Sequence, residues 1–275
     1  EWLRLFETWS AFVFAAAAGP ILPLEWILKR GLSRAERIGR GFFVPAPYVT
    51  ARYGERLLAE IPAAVINNRL TDWVQWGGLR LHTGTRFLGA GDWSGISNPV
   101  MDSPVAREAK ELFDHGLDYR ETRAFRRYLE RAQKGNPLRR NRIVLADRNL
   151  VVDYFERFVA LFRSIQENGV LRREALGRGA GFSRRSHIRR LRTELGEKEI
   201  GIAVGREGEV YRLPGGQHRT AIAMVLGTEN LPVQVRLVHA EWVRQRMQAY
   251  GGTITGAILR GIKDGVNTGI GKKCG

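Results

Sequence analysis

Cysteine is almost missing from this chain. Cys274, close to the C-terminal end, is the single one in 275 residues. No internal disulfide can form, and zinc sites built on Cys-x-x-Cys pairs are excluded. A reducing compartment fits such a composition, and a cytoplasmic protein is the expectation. Histidine is sparse, and His82, His115 and His187 show no metal-ligand spacing, so no protein-built metal site is expected. There is no internal repeat and no long low-complexity run. Acidic residues are also in deficit: 28 face 44 lysines and arginines, a balance of +16. With a pI near 10.8, the chain attracts polyanions by Coulomb steering. Nucleic acid, an anionic membrane surface and a nucleotide-like ligand are the partner classes this admits.

Clean hydrophobic runs are equally scarce. The most apolar stretch, Trp9 to Leu28, is interrupted by Pro20, Pro23 and Glu25, whereas crossing a bilayer takes roughly 20 clean apolar residues. No basic region precedes it, so it does not read as a secretory signal. Lys29, Arg30, Arg34, Arg37 and Arg40 follow closely. The stretch reads first as an amphipathic helix docked on the domain. It reads second as a peripheral helix that places residues 1–40 in an anionic membrane interface, and last as a span.

What is present is 44% hydrophobic residues, enough for a core of one large domain or two small ones. Four regions are expected: an apolar and basic segment over 1–44, a helical, Trp-rich accessory region over 45–146, a core over 147–249, and a loosely ordered Gly-rich basic tail over 250–275. Within the second, 55–66 reads as a helix interrupted at Pro62, and the glycine-rich stretch from Gly78 to Trp93 as one or two short strands. Ser103 caps a helix with Pro104 in its first position, and a further helix runs from Tyr119 to Gln133. Residues 147–168 carry apolar positions at helical period, including Val151, Phe155, Phe158, Phe162 and Ile165, and Gly169 stops them. Ser186 to Leu195 reads as a helix with a basic face.

The chemistry concentrates further on. Ile200 to Val204 and Glu209 to Leu213 read as a hairpin, His218 to Leu226 as a helix, and Leu231 to Val238 as an alternating strand. Between hairpin and helix stands Gly215-Gly216-Gln217-His218-Arg219, followed by Thr220. Glycines let the backbone turn sharply and approach a ligand. The first helical turn has N–H groups without intrahelical partners, and with the positive end of the helix dipole they favour an anion. Arg219 can grip phosphate oxygens in a bidentate manner, and His218 can donate a hydrogen bond or add charge. The phosphate-binding set is therefore Gly215, Gly216, Gln217, His218, Arg219 and Thr220.

The string IGIAVGREGEVYRLPGGQHRTAIAMVLGTENLPVQVRLV, with FRSIQENGVL before it, resembles the core of the ParB/sulfiredoxin superfamily. The resemblance covers residues 150–242. GDWSGISNPVMDSP, DHGLDYRETRAF and the His239-x-x-Trp242 ending resemble a ParB-like branch with a Gly-x-His-Arg turn. The resemblance implies an α+β fold: a small mixed sheet of ParB/sulfiredoxin type with the strand–GGQHR–helix turn, preceded by a mostly helical N-terminal region. It also implies nucleotide phosphates at the turn, since members of the superfamily use CTP or ATP there and free-serine kinases of this fold transfer a phosphoryl group. Three departures narrow it. Gln217 stands where sulfiredoxin has its catalytic cysteine. Gly215 stands where kinase-like relatives often carry aspartate. No helix-turn-helix pattern follows Trp242, where ParB continues into DNA-binding helices.

The expected function is thus nucleotide-phosphate binding, with an ATP- or ADP-dependent small-molecule kinase as its enzymatic form. A nucleoside triphosphate or diphosphate with Mg2+ is the implied cofactor. Glu199 and His218 are the candidate catalytic residues, and His239 and Trp242 the candidate pocket residues. Asp92, Asp114, Asp118, Glu121 and Glu174 are the other carboxylates considered for phosphoryl transfer. Two alternatives stand beside this reading. One is a nucleic-acid-binding protein using the arginines at 139–142 and 184–192. The other is a membrane-associated accessory protein using residues 1–40.

Overall fold

A computed structural model describes residues 23–76, 79–140, 143–172 and 199–267. In chain order, α1 (Leu24–Ile38), β1 (Gly41–Pro45), α2 (Ala46–Tyr53), β2 (Leu58–Ile61) and β3 (Asn68–Leu70) come first. A hairpin, β4 (Trp73–Trp76) with β5 (Leu79–His82), leads to β6 (Arg86–Ala90) and β7 (Ser97–Pro99). Then follow α3 (Pro104–Asp114), α4 (Arg123–Gln133), the short hairpin β8 (Arg139–Arg140) with β9 (Ile143–Val144), and α5 (Arg148–Asn168). The last part holds β10 (Ile200–Val204), β11 (Val210–Arg212), α6 (Gln217–Val225), β12 (Leu231–His239), α7 (Ala240–Tyr250) and α8 (Ile254–Asn267).

The molecule is a mixed α+β fold organised on β12, whose nine residues are all buried. Parallel β10 covers one edge of β12; antiparallel β2 and parallel β6 share the other, β2 at Leu231–Gln234 and β6 at Val238–His239. The eight-stranded sheet runs β1-β6-β12-β10-β11-β3-β7, with β2 on β12. Apolar side chains on its two faces form one large core and a smaller one around Phe42, Trp93, Leu213 and Leu237. The register of β10 against β12 shifts between Ile202 and Ala203, so Val235 opposes Ile202 while Leu237 opposes Ala203. Arg236 is the extra residue of a bulge. The bulge turns Leu237 to the small core and Val238 to the large one, which breaks the simple alternation of the sequence.

The sheet corrects the expected division of the chain. Residues 45–146 are not a mostly helical accessory region, because β2, β3, β6 and β7 are strands of the same sheet as β10 to β12. No helix forms over 55–66; short 3-10 turns at Gly54–Leu57 and Ala63–Val65 flank β2 instead. The free edge of β12 outcompetes helix propensity there, and Leu57, Ile61 and Ile66 become buried. The tail is likewise more structured than expected. α8 spans 254–267 and buries Ile254, Ala257, Ile258 and Ile262. Its start is capped by Glu25 of α1, whose carboxylate accepts from the N–H of Ile254 at 3.0 Å and of Thr255 at 2.9 Å.

Ser103 caps α3 as expected, by accepting from the N–H of Ala106. α5 follows the expected helical period and is capped by Asp147, which accepts from the N–H of Leu150. α1 docks on the domain through Leu28, Leu32 and Ala35; of the stretch Trp9 to Leu28, only residues 23–28 are described. Residues 1–22, the basic run 173–198 with its expected helix, and 268–275 lie outside the described residues. Among the described residues no helix is long and apolar enough to cross a membrane.

Candidate phosphate site and the polar cluster behind it

The strand–GGQHR–helix turn forms as read. β11 ends at Arg212, and α6 begins at Gln217 with Gly216 as its cap. Gly216 sits at φ +66°, and a Cβ there would stand 2.7 Å from Ile200 Cγ1. Conformation and space both demand glycine at this point. Gly215, at φ +110°, is exposed, and so is Gln217. The first-turn N–H groups of α6 and its dipole are thus presented at a surface.

The side chains of the motif do other work. His218 is buried and packs edge-on against Phe158, with ring centroids 4.9 Å apart. Its Nε2 lies 3.3 Å from Tyr154 Oη. Burial first, then the charges of Arg140 and Arg212, push its pKa down to about 3. It is therefore neutral at neutral pH, and its ring is packed into the core rather than held out at the turn. Thr220 is fully buried, and its hydroxyl donates to the Gly216 carbonyl at 3.2 Å, which braces the turn. Arg219 Nη1 donates to Glu199 Oε2 at 2.9 Å, with side chains 11% and 3% exposed. Glu199, expected as a candidate catalytic residue, is thus held in a nearly buried ion pair with Arg219. In the same place Arg236 Nη2 donates to the Glu199 carbonyl oxygen at 2.9 Å, so the bulge residue secures the entry to β10.

Behind His218 lies a cluster that sequence reading missed. Glu108, 2% exposed, accepts from Tyr154 Oη at 2.8 Å, from Arg140 Nη2 at 3.1 Å, and from Tyr128 Oη. Since Tyr154 gives its proton to Glu108, its oxygen accepts from His218, which places the imidazole proton on Nε2. Burial and then the Glu108 charge push the pKa of both phenols up. A signal was present: Glu108 falls on the buried stripe of α3 with Val105, Ala109 and Leu112, where an isolated charge is costly unless paired. The cluster also removes Arg140 from the expected nucleic-acid-binding arginines, because its side chain is turned inward onto Glu108 and the ring of Tyr128.

Arg212 sets the electrostatics of the turn. It is 4% exposed, and its Nη1 donates to the carbonyls of Leu213 and Gly215, both at 3.0 Å. Burial, then the neighbouring Arg69, lower its pKa to about 10 against a weaker opposing pull from Asp72. Arg212 and Arg69 are register partners of the parallel pair β11 and β3.

His239 and Trp242 do not join this site. Gly216 packs at Ile200, the start of β10, whereas His239 follows Val238, which pairs with Val204 at the end of β10. The length of β10, about 13 Å at strand rise, separates them. Trp242 lies in the first turn of α7, not on β12, and is buried under Arg246. Asp92 belongs to the His239 end. Asp114 pairs with Lys110 at 2.9 Å, and Asp118 caps the turn before α4 through the N–H of Arg120. Glu121 is exposed, and Glu174 is outside the described residues. Among the described residues no three His, Cys, Asp or Glu side chains are grouped to hold a metal ion. Comparisons of the chain with protein-family models, curated proteins and solved structures return no match.

Proposed function

We propose that this protein binds the phosphate groups of a nucleotide at the strand–GGQHR–helix turn. The observation that carries the reading is a turn whose two positive-φ glycines present the N-terminus of α6, with buried Arg212 behind it donating to the Gly215 carbonyl. An anion at the turn would meet the first-turn N–H groups and the positive end of the α6 dipole. The +16 balance adds long-range attraction. The reading is one of binding.

A thermal-shift panel of ATP, ADP and CTP with magnesium tests it, because a ligand of the native state raises stability by mass action. At least one nucleotide is expected to raise the melting temperature by several degrees. Gln217→Glu is the informative variant. Its side chain is exposed at the helix start, where a carboxylate suits the dipole and preserves the fold but repels phosphate. The shift should vanish in this variant while the unliganded melting temperature holds. Absence of any nucleotide response in the unaltered chain refutes the reading.

A further inference from the structure

α1 turns one face to solvent. The helix docks through Leu28, Leu32 and Ala35. Gly31 fixes its rotation, because a Cβ there would stand 2.6 Å from Val44 Cγ2 and 3.2 Å from Leu88 Cδ2. Trp26, Arg30, Ser33 and Arg37 stand at i, i+4, i+7 and i+11 and form one stripe on the opposite side, all of them exposed. Lys29 and Arg34 flank the stripe and Arg40 follows the helix, exposed as well. Among the described residues Lys29, Arg30, Arg34, Arg37 and Arg40 make no ion pair. The two carboxylates of α1 are engaged elsewhere. Glu25 caps α8 through the N–H groups of Ile254 and Thr255, and Glu36 lies 3.9 Å from Arg244 of α7.

Two further observations say what such a face meets. Trp26 is 47% exposed, and the Arg30 guanidinium lies over its ring, 5.2 Å from the centroid. A tryptophan held at the surface beside arginines suits the headgroup level of a bilayer, where the indole is half wet and the guanidinium meets lipid phosphate. The sequence that leads into the stripe is also apolar. Residues 9–24 contain no charged side chain, and Trp26 follows two positions later. A nucleic acid would use the cations of this face but has no use for an uncharged stretch beside them.

We propose that this face of α1 binds the surface of an anionic phospholipid bilayer. Arg30, Arg34 and Arg37, with Lys29 and Arg40, meet the headgroup phosphates. Trp26 takes the interfacial level, and the uncharged stretch before α1 supplies the apolar component. A basic patch and an apolar element each hold a bilayer weakly and reversibly, whereas the two together hold it stably. The apolar stripe of α1 stays in the core, so the domain keeps its fold at the surface. The proposal does not rest on nucleotide binding, since none of these residues belongs to the glycine turn.

Vesicle co-sedimentation of the full chain, without nucleotide, tests it. The probes are vesicles of phosphatidylcholine alone and of equal parts phosphatidylcholine and phosphatidylglycerol. Binding to the anionic vesicles should be tighter by about tenfold or more and should weaken as salt rises. The triple variant Arg30→Gln, Arg34→Gln, Arg37→Gln should lose about tenfold or more of that affinity. All three side chains are exposed, and circular dichroism checks the fold. Trp26→Ser should lose several-fold, and it carries the test should the triple variant unfold. No binding to the anionic vesicles, equal binding to phosphatidylcholine alone, or unchanged affinity in the triple variant overturns the proposal. Affinity indifferent to Trp26→Ser overturns it too, since a face that senses charge alone is not an interfacial one. Binding of duplex DNA in place of the anionic vesicles assigns the face to nucleic acid instead.

Discussion

His218 offers the sharpest measurement, because its buried, neutral state must appear in the acid stability of the protein. An unfolded histidine titrates near 6.5, whereas burial lowers the folded value to about 3. The folded pKa is depressed, so protonation favours the unfolded chain. The contribution is complete above about pH 6.5 and is lost as pH falls through the window toward 3. Linkage sets the size. At pH 4.5 an unfolded histidine is almost fully protonated and folded His218 almost fully neutral. The loss relative to pH 7 is therefore about 2.5 kcal/mol at 1.36 kcal/mol for each pH unit. Urea unfolding at pH 7, 5.5 and 4.5 should show the wild type losing about 2.5 kcal/mol more than His218→Phe, even though the variant is less stable at pH 7 through the partner lost by Tyr154. In NMR titration the His218 ring should keep its neutral shift down to about pH 4. Parallel stability curves, or a ring that titrates near 6.5, would refute the placement of His218 in the core and return it to the phosphate site.

The remaining expectations concern the glycine turn and the tail helix. Glu199→Gln leaves Arg219 without its carboxylate in a nearly buried place, with a cost of about 3–5 kcal/mol; the double variant with Arg219→Met should lose clearly less than the two single losses added, as read by urea unfolding in a double-mutant cycle. Gly216→Ala must hold a left-handed conformation, at about 1–2 kcal/mol, and must push Ile200 aside, so its melting temperature should fall while an alanine at the exposed, uncrowded Gly95 leaves it unchanged. Glu25→Ala removes the cap of α8, at about 0.5–2 kcal/mol, and hydrogen exchange should quicken over 254–267 ahead of β12.

Local order was legible in the residues themselves. Ser103-Pro104 and Asp147 mark helix starts because a side-chain acceptor or a preset φ acts within one turn. Gly215-Gly216 marks the turn because only glycine tolerates its backbone. The 3.6-residue period of α5 shows its buried face. None of these needs a distant partner. The role of each motif residue was not legible, because it depends on what packs behind the turn. His218 is silent as a phosphate contact because Phe158 and Tyr154 of α5 take its ring, and Glu199 is an anchor because Arg219 folds back 20 positions to reach it. The strand at Leu58–Ile61 exists only because β12 offers an edge, and the tail helix is held by a glutamate 229 positions earlier. Short-range sterics and hydrogen bonding thus belong to the sequence alone, whereas burial and charge pairing, which decide what a side chain can do, arose only when distant segments closed on one another.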